Sequence, residues 1–324
     1  MKIELLVDCR NGEIFDISEL ISTVSWKTSR KDRPGSLEFS YNKDSTINIS
    51  NGNVVSLKVN GVGVFYGYVF DLSGSREPLV KVTCYDSKRY LLFDDTVVET
   101  GKKASYIISK YLKSLGLKVG TIEDTKYVMP TFLEDGKKML DIFQSALDKT
   151  VMSTKQTYVL YDDYGTIHLR NINNLKTDRV ISVDSNLGDY DWKKSIDGET
   201  YNRVKLVKDD EKSKKRDVYI VQDSKNIAKW GRLQYFKKVE DNMNKAQITE
   251  LANNILAVKN CEERTLKLKE VISYDINGDL KLRGGMGIYV DIKELKTAQY
   301  YLIEETTHTI QNSKMTIDFD LKVV

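Results

Sequence analysis

Apolar residues alternate with polar ones through the first part of the chain: Ile3, Leu5 and Val7; Leu37, Phe39 and Tyr41; Val55, Leu57 and Val59; Val80, Val82 and Cys84. A period of two with one apolar face predicts half-buried strands. The returns through Asn-Gly and Ser-Gly steps predict a small antiparallel barrel or sandwich. The period changes after Lys102, where Ala104, Ile107, Ile108, Tyr111, Leu112 and Leu115 fall on one stripe of a helix and Gly116 is placed to stop it. Met139, Leu140, Phe143, Ala146 and Leu147 predict a second helix after Asp135. A hairpin follows, with Tyr158 and Leu160 against Ile167 and Leu169.

Strand patterns resume at 179–183, 201–208 and 217–222, and the charged stretch 208–216 carries both signs, as a solvated hairpin tip would. Ile248, Leu251, Ala252, Ile255 and Leu256 mark a further helix near 243–258. Met315, Ile317, Phe319, Leu321 and Val323 close the chain in strict alternation. The block order is β, then α/β, then β interrupted by one helix, so the fold is mainly β with an α+β character. The two β blocks are candidates for distant duplicates.

Composition narrows the function classes. The 324 residues hold 50 Lys plus Arg against 47 Asp plus Glu, a net charge of +3 that provides no broad field toward nucleic acid or an anionic membrane. No apolar run reaches membrane-spanning length, and acidic residues arrive before a signal-type core could form, so neither a membrane anchor nor a signal peptide is expected. Cys9, Cys84 and Cys261 are odd in number and far apart, which suits neither a disulfide framework nor a metal knuckle.

Candidate chemistry is sparse. The two histidines, His168 and His308, each lie in an alternating segment, where a packed structural role is expected. No Gly-x-Ser-x-Gly elbow is present, and the glycine clusters at 61–63 and 284–287 precede strand patterns, which suits turns and close packing rather than phosphate loops. The acidic pairs at 94–95, 162–163 and 209–210 read as turns, and Glu304-Glu305 as a rim or surface strand. No catalytic residue, cofactor or metal site is therefore expected. Nineteen Tyr and nine Phe in a β-rich chain point to assembly surfaces. The other reading of the residues is a barrel face that binds carbohydrate or single-stranded nucleic acid.

The order of several segments carries a resemblance. Ser36-Leu37-Glu38-Phe39-Ser40, Gly67-Tyr68-Val69-Phe70-Asp71 and the run from Cys84 to Leu92 are followed by the helices at 106–115 and 136–147, then by Tyr201-Asn202-Arg203-Val204, Gly231-Arg232-Leu233-Gln234 and Thr307-His308-Thr309. This succession resembles the tail hub proteins of contractile phages and phage-like particles, the group of XkdQ, YqbQ and late control protein D. The resemblance implies two tube-type antiparallel β-barrels, at 1–95 and 176–324, with an inserted α/β domain at 96–175. It further implies a structural, non-enzymatic subunit of the tail baseplate, made in the bacterial cytoplasm, with a cell-wall hydrolase of the tail tip as the alternative that the same resemblance raises. Three copies would form a pseudo-six-fold ring between the tail tube protein and the central spike protein, beside baseplate wedge and tape-measure or LysM-type proteins. The segment 27–34 is similar to the extended loop by which tube-type barrels reach a neighbour, so Arg30, Lys31 and Arg33 become interface candidates. His308 becomes a structural residue of the second barrel.

Overall fold

The computed structural model describes residues 1–42, 47–76, 78–210, 215–239 and 243–323. Seven strands form the first block: β1 (Ile3–Asp8), β2 (Ile14–Asp16), β3 (Ile21–Ser29), β4 (Ser36–Asn42), β5 (Val54–Val59), β6 (Val62–Gly74) and β7 (Leu79–Tyr85). They pair antiparallel in the order β3-β4-β7-β6-β5-β1-β2. The period-two pattern is realised side chain by side chain. Leu37, Phe39 and Tyr41 of β4 and Val55, Leu57 and Val59 of β5 are all buried, while the residues between them face outward or lie half-covered.

The α/β block contains β8 (Asp94–Lys103), α1 (Ala104–Ser114), β9 (Val119–Ile122), β10 (Val128–Lys138), α2 (Met139–Thr154), β11 (Tyr158–Asp163) and β12 (Thr166–Asn171). Strands β8 and β10 form a ribbon, and β11-β12-β9 a small sheet. Helix α1 stops where expected, with Gly116 at φ +69° letting its N–H reach the Lys113 carbonyl at 3.0 Å. Helix α2 starts at Met139, the first residue of its apolar stripe, rather than directly after Asp135, because β10 runs on to Lys138 through a bulge between Glu134 and Lys137. Ile107, Ile108 and Leu112 of α1 share a core with Phe132, Phe143, Leu160 and Leu169.

Strands β13 (Lys176–Ser182) and β14 (Asp189–Ser195) begin the last block. The chain then forms β15 (Arg203–Asp210), β16 (Lys215–Gln222), α3 (Ser224–Trp230), β17 (Gln234–Lys238) and α4 (Lys245–Lys259) before returning. In this excursion Val204 and Leu206 of β15 pack with Ile248, Ala252 and Ile255 of α4, whose first turn is closed by a capping box between Asn244 and Gln247. Residues 211–214, the centre of the expected charged tip, lie outside the described residues. Strand β18 (Glu263–Ile272), α5 (Ile276–Asp279), β19 (Gly287–Ile292), β20 (Thr297–Gln311) and β21 (Lys314–Lys322) complete the chain.

The order of the second block is β14-β18-β21-β20, with β19 antiparallel to β20 and β13 parallel to β19. A parallel pair needs a long connection, and the excursion supplies it. The chain divides into two compact units, one of residues 1–147, 158–191 and 266–324, the other of 148–157 and 192–265. Within the larger unit, β3 pairs with β20, so both β blocks belong to one continuous sheet and share one hydrophobic core.

Candidate functional site: the inter-barrel seam

The β3–β20 ladder runs from Thr23 opposite Gln311 to Ser29 opposite Glu305. Its centre is an aromatic pair. Trp26 and His308 face each other directly, with ring centroids 4.6 Å apart and planes 5° from parallel. Both are buried, and His308 has no exposed surface. Burial pushes the imidazole down to about 4, and the backbone carbonyl of Asp279 opposes this only partly. The ring is therefore neutral at physiological pH. A carbonyl can only accept, so Nε2 carries the proton and donates to Asp279 O at 3.2 Å. Among the described residues Nδ1 has no hydrogen-bond partner. Hydroxyl pairs flank the stack, Thr28 with Thr306 at 2.7 Å and Ser25 with Thr309 at 3.4 Å.

Beyond Ser29 the chain turns toward β4. Arg30 makes a two-pronged pair with Glu304, Nε to Oε2 at 2.9 Å and Nη2 to Oε1 at 2.7 Å, and its N–H donates to the Glu304 carbonyl at 2.8 Å. Glu305 takes Lys27 at 2.5 Å and Arg33 at 3.3 Å. Consecutive strand residues normally point to opposite faces. Here the register slips between Ile303 and Glu305, and that irregularity lets both glutamates serve the same turn. Gly284 lies against the backbone on the other side: a Cβ there would fall 2.4 Å from the Arg30 nitrogen, and its N–H donates to the Thr28 hydroxyl at 3.0 Å. The close packing expected of the 284–287 glycines is thus a barrel-to-barrel approach.

The structure brings Arg30, Arg33 and His308 to one seam, although the sequence placed the two arginines in a loop and the histidine in the second barrel. Arg30 is committed inside the chain, with its side chain 10% exposed, whereas that of Arg33 is 66% exposed. Lys31 sits at the turn, its carbonyl accepting from the Ser29 hydroxyl at 2.7 Å.

Behind the turn lies a buried charged cluster that sequence reasoning missed. Asp86 caps the short helical turn Ser87–Leu91, accepting from Lys88 N at 3.0 Å and from Gly35 N at 2.7 Å. Asp162 accepts from Gly165 N at 2.6 Å and Ser87 N at 3.2 Å. Lys88, 4% exposed, donates its ammonium to the Arg33 carbonyl at 3.1 Å and to that of Ser29 at 3.5 Å. Burial raises both aspartic acids above the ordinary carboxylate range, with the Lys88 charge pulling the other way. The 162–163 pair read as a turn is the end of β11. The available signal was the cap pattern Asp86-Ser87-Lys88 directly after an alternating strand. His168 proves to be a packed histidine, stacked on Tyr161 and accepting the Thr121 N–H at 3.0 Å. In chemical terms, these groups hold strands and turns together.

The architecture is that of a phage tail protein. A 43 kDa tail protein of prophage MuSo2 from Shewanella oneidensis superposes with a TM-score of 0.72 at 13% identity, over 99% of this chain and 98% of the other. The chain belongs to the YQBQ-like family, whose family model spans residues 24–322. It is 30% identical to YqbQ of Bacillus subtilis strain 168 over 279 residues, 86% of this chain and 83% of YqbQ. It is 26% identical over 310 residues to XkdQ of the phage-like element PBSX in the same organism, covering 94% and 93% of the two chains.

Proposed function

We propose that the chain is the structural hub of the baseplate of a contractile tail in a phage or phage-like particle, an adaptor between tail tube and central spike. The observation that carries this reading is the β3–β20 ladder. It joins two barrels side by side within one chain, which is the kind of contact that separate tube subunits would make between chains. Three copies would offer six barrel faces to a six-fold tube and three equivalent chains to a three-fold spike. Residues 1–95 and 176–324 supply the barrels and 96–175 the attached domain. Baseplate wedge and tape-measure or LysM-type proteins would be its other neighbours. The role is architectural, without catalysis or cofactor, and its place is the particle's tail.

Light scattering after size exclusion tests the ring. Three copies of the 37.2 kDa chain, about 112 kDa, are expected for the chain alone, or that mass plus the mass of the spike when the ring forms on its spike protein. A monomer under both conditions refutes the proposal.

The turn at 27–34 contributes to assembly in this reading. Arg30, anchored on Glu304, sets the stance of the turn, and Lys31 and Arg33 dock on a neighbouring subunit with acidic surface. The double substitution Lys31→Glu and Arg33→Glu is expected to weaken co-assembly with tube subunits about tenfold while the thermal midpoint of the isolated chain holds. Undiminished co-assembly removes the turn from the interface.

A further inference from the structure

The outer face of the first barrel carries a strip of rings. Tyr66, Tyr68 and Phe70 stand at alternate positions of β6, all facing away from the core. Tyr68 meets Tyr90 edge-on at 5.2 Å between centroids, and Tyr90 in turn meets Phe70 at 5.8 Å. Tyr66 extends the strip, 6.3 Å from Tyr68. Two arginines lie on top: the Arg10 guanidinium is 5.1 Å from the Tyr68 centroid, and that of Arg89 is 4.9 Å from the Phe70 centroid. Among the described residues neither guanidinium has a carboxylate within ion-pair distance; the nearby Asp8 accepts only the Arg10 backbone N–H, at 2.7 Å. Two cations are thus held in place by rings, with their hydrogen-bonding edges unspent.

We infer that this strip is a docking surface for an extended segment of a partner protein with acidic residues at every second position. The spacing is the first reason. The two guanidinia cover rings two residues apart on one strand, about 7 Å, which is also the interval between same-face side chains of an extended peptide. Charge is the second, since the surface offers phenol and guanidinium donors to carboxylate acceptors. A base or a sugar would need a free ring face, and the faces of Tyr68 and Phe70 are covered by the arginines and by neighbouring ring edges. The partner is a different protein from this chain. Where this chain itself places acidic residues two apart among the described residues, at 189 and 191, 197 and 199, and 318 and 320, a lysine of the same chain already holds at least one of each pair: Lys269 holds Asp189 and Asp191, Lys259 holds Glu199, and Lys267 holds Asp320.

The test is fluorescence anisotropy of the full chain with a labelled peptide that alternates glutamate and valine. The same peptide with lysine for glutamate and a thymidine oligonucleotide serve as the other arms. Binding of the glutamate peptide alone is expected, weakened about tenfold by each of Arg10→Gln and Arg89→Gln, with the thermal midpoint of both variants close to wild type. No binding, or equal binding by the double variant, overturns the inference. Oligonucleotide binding lost in the same variants reassigns the strip to nucleic acid and also overturns it. If the mass by light scattering falls in the double variant, the occupant is a second copy, which contradicts the partner inferred here. The ring itself is judged by the wild-type mass, so the two proposals fail separately.

Discussion

Replacing Lys88 with methionine is expected to cost about 3–5 kcal/mol of folding free energy at neutral pH, a large fraction of what a domain has. The side chain is 4% exposed, so methionine fills much the same volume, and the loss is electrostatic rather than a cavity. Without the ammonium, the carbonyls of Ser29 and Arg33 lose their shared donor. Asp86 and Asp162 then repel each other without a compensating cation, in a site that burial already makes hostile to charge. The pH dependence has a definite sign. A carboxyl whose folded pKa is raised contributes stability that is fully present below its unfolded value, about 4, and is lost as pH climbs through the folded value. Removing the cation raises both carboxyls further, so Lys88→Met loses more at pH 8 than at pH 5. Chemical denaturation at the two pH values measures the effect, and a midpoint equal to wild type at pH 8 refutes it. Adding Asp86→Asn is expected to recover part of the loss, because one of the two buried carboxyls no longer has to ionise.

How far the sequence carried the structure follows from the range of each interaction. Strands of the first barrel were legible because burial on one face writes itself into alternate residues, as in Leu37, Phe39 and Tyr41. Helices α1 and α4 were legible because an apolar stripe lies within a few turns, and α1 also carries its stop signal, Gly116. The start of α2 was not, since Asp135 and the following lysines belong to a bulged strand whose partner, β8, lies far back in the chain. The seam was half legible. Arg30, Arg33 and His308 attracted attention singly, but nothing local says that Glu304 and Glu305 will both turn toward the loop. That depends on a slip of β20 against β21, combined with the pairing of β20 onto β3 from the other end of the chain. Lys88 and Asp162 stayed hidden for the same reason. A charged residue reads as exposed until long-range packing closes over it, and their partners lie across 55 to 75 residues of sequence.

His308→Phe is expected to remove a pH dependence rather than much stability at neutral pH. A phenyl ring can keep the stack on Trp26, and although it cannot donate to the Asp279 carbonyl, a cost of about 1 kcal/mol, it also eliminates the buried Nδ1 that has no partner. The larger effect is linkage. An imidazole held at about 4 in the fold, against 6.5 for the free side chain, stays neutral while the unfolded chain takes up a proton. Its contribution is fully present above about 6.5 and is lost as pH falls toward about 4, a swing of about 3 kcal/mol. The buried Asp86 and Asp162 run the opposite way over part of this window, but they are present in both proteins and cancel in the difference. The variant should therefore lose about 3 kcal/mol less than wild type between pH 7 and pH 4 in paired denaturation curves. Parallel curves would mean that the imidazole takes up its proton inside the fold as readily as outside it. Water would then reach the Trp26–His308 stack, and the two barrels would not be sealed along β3 and β20.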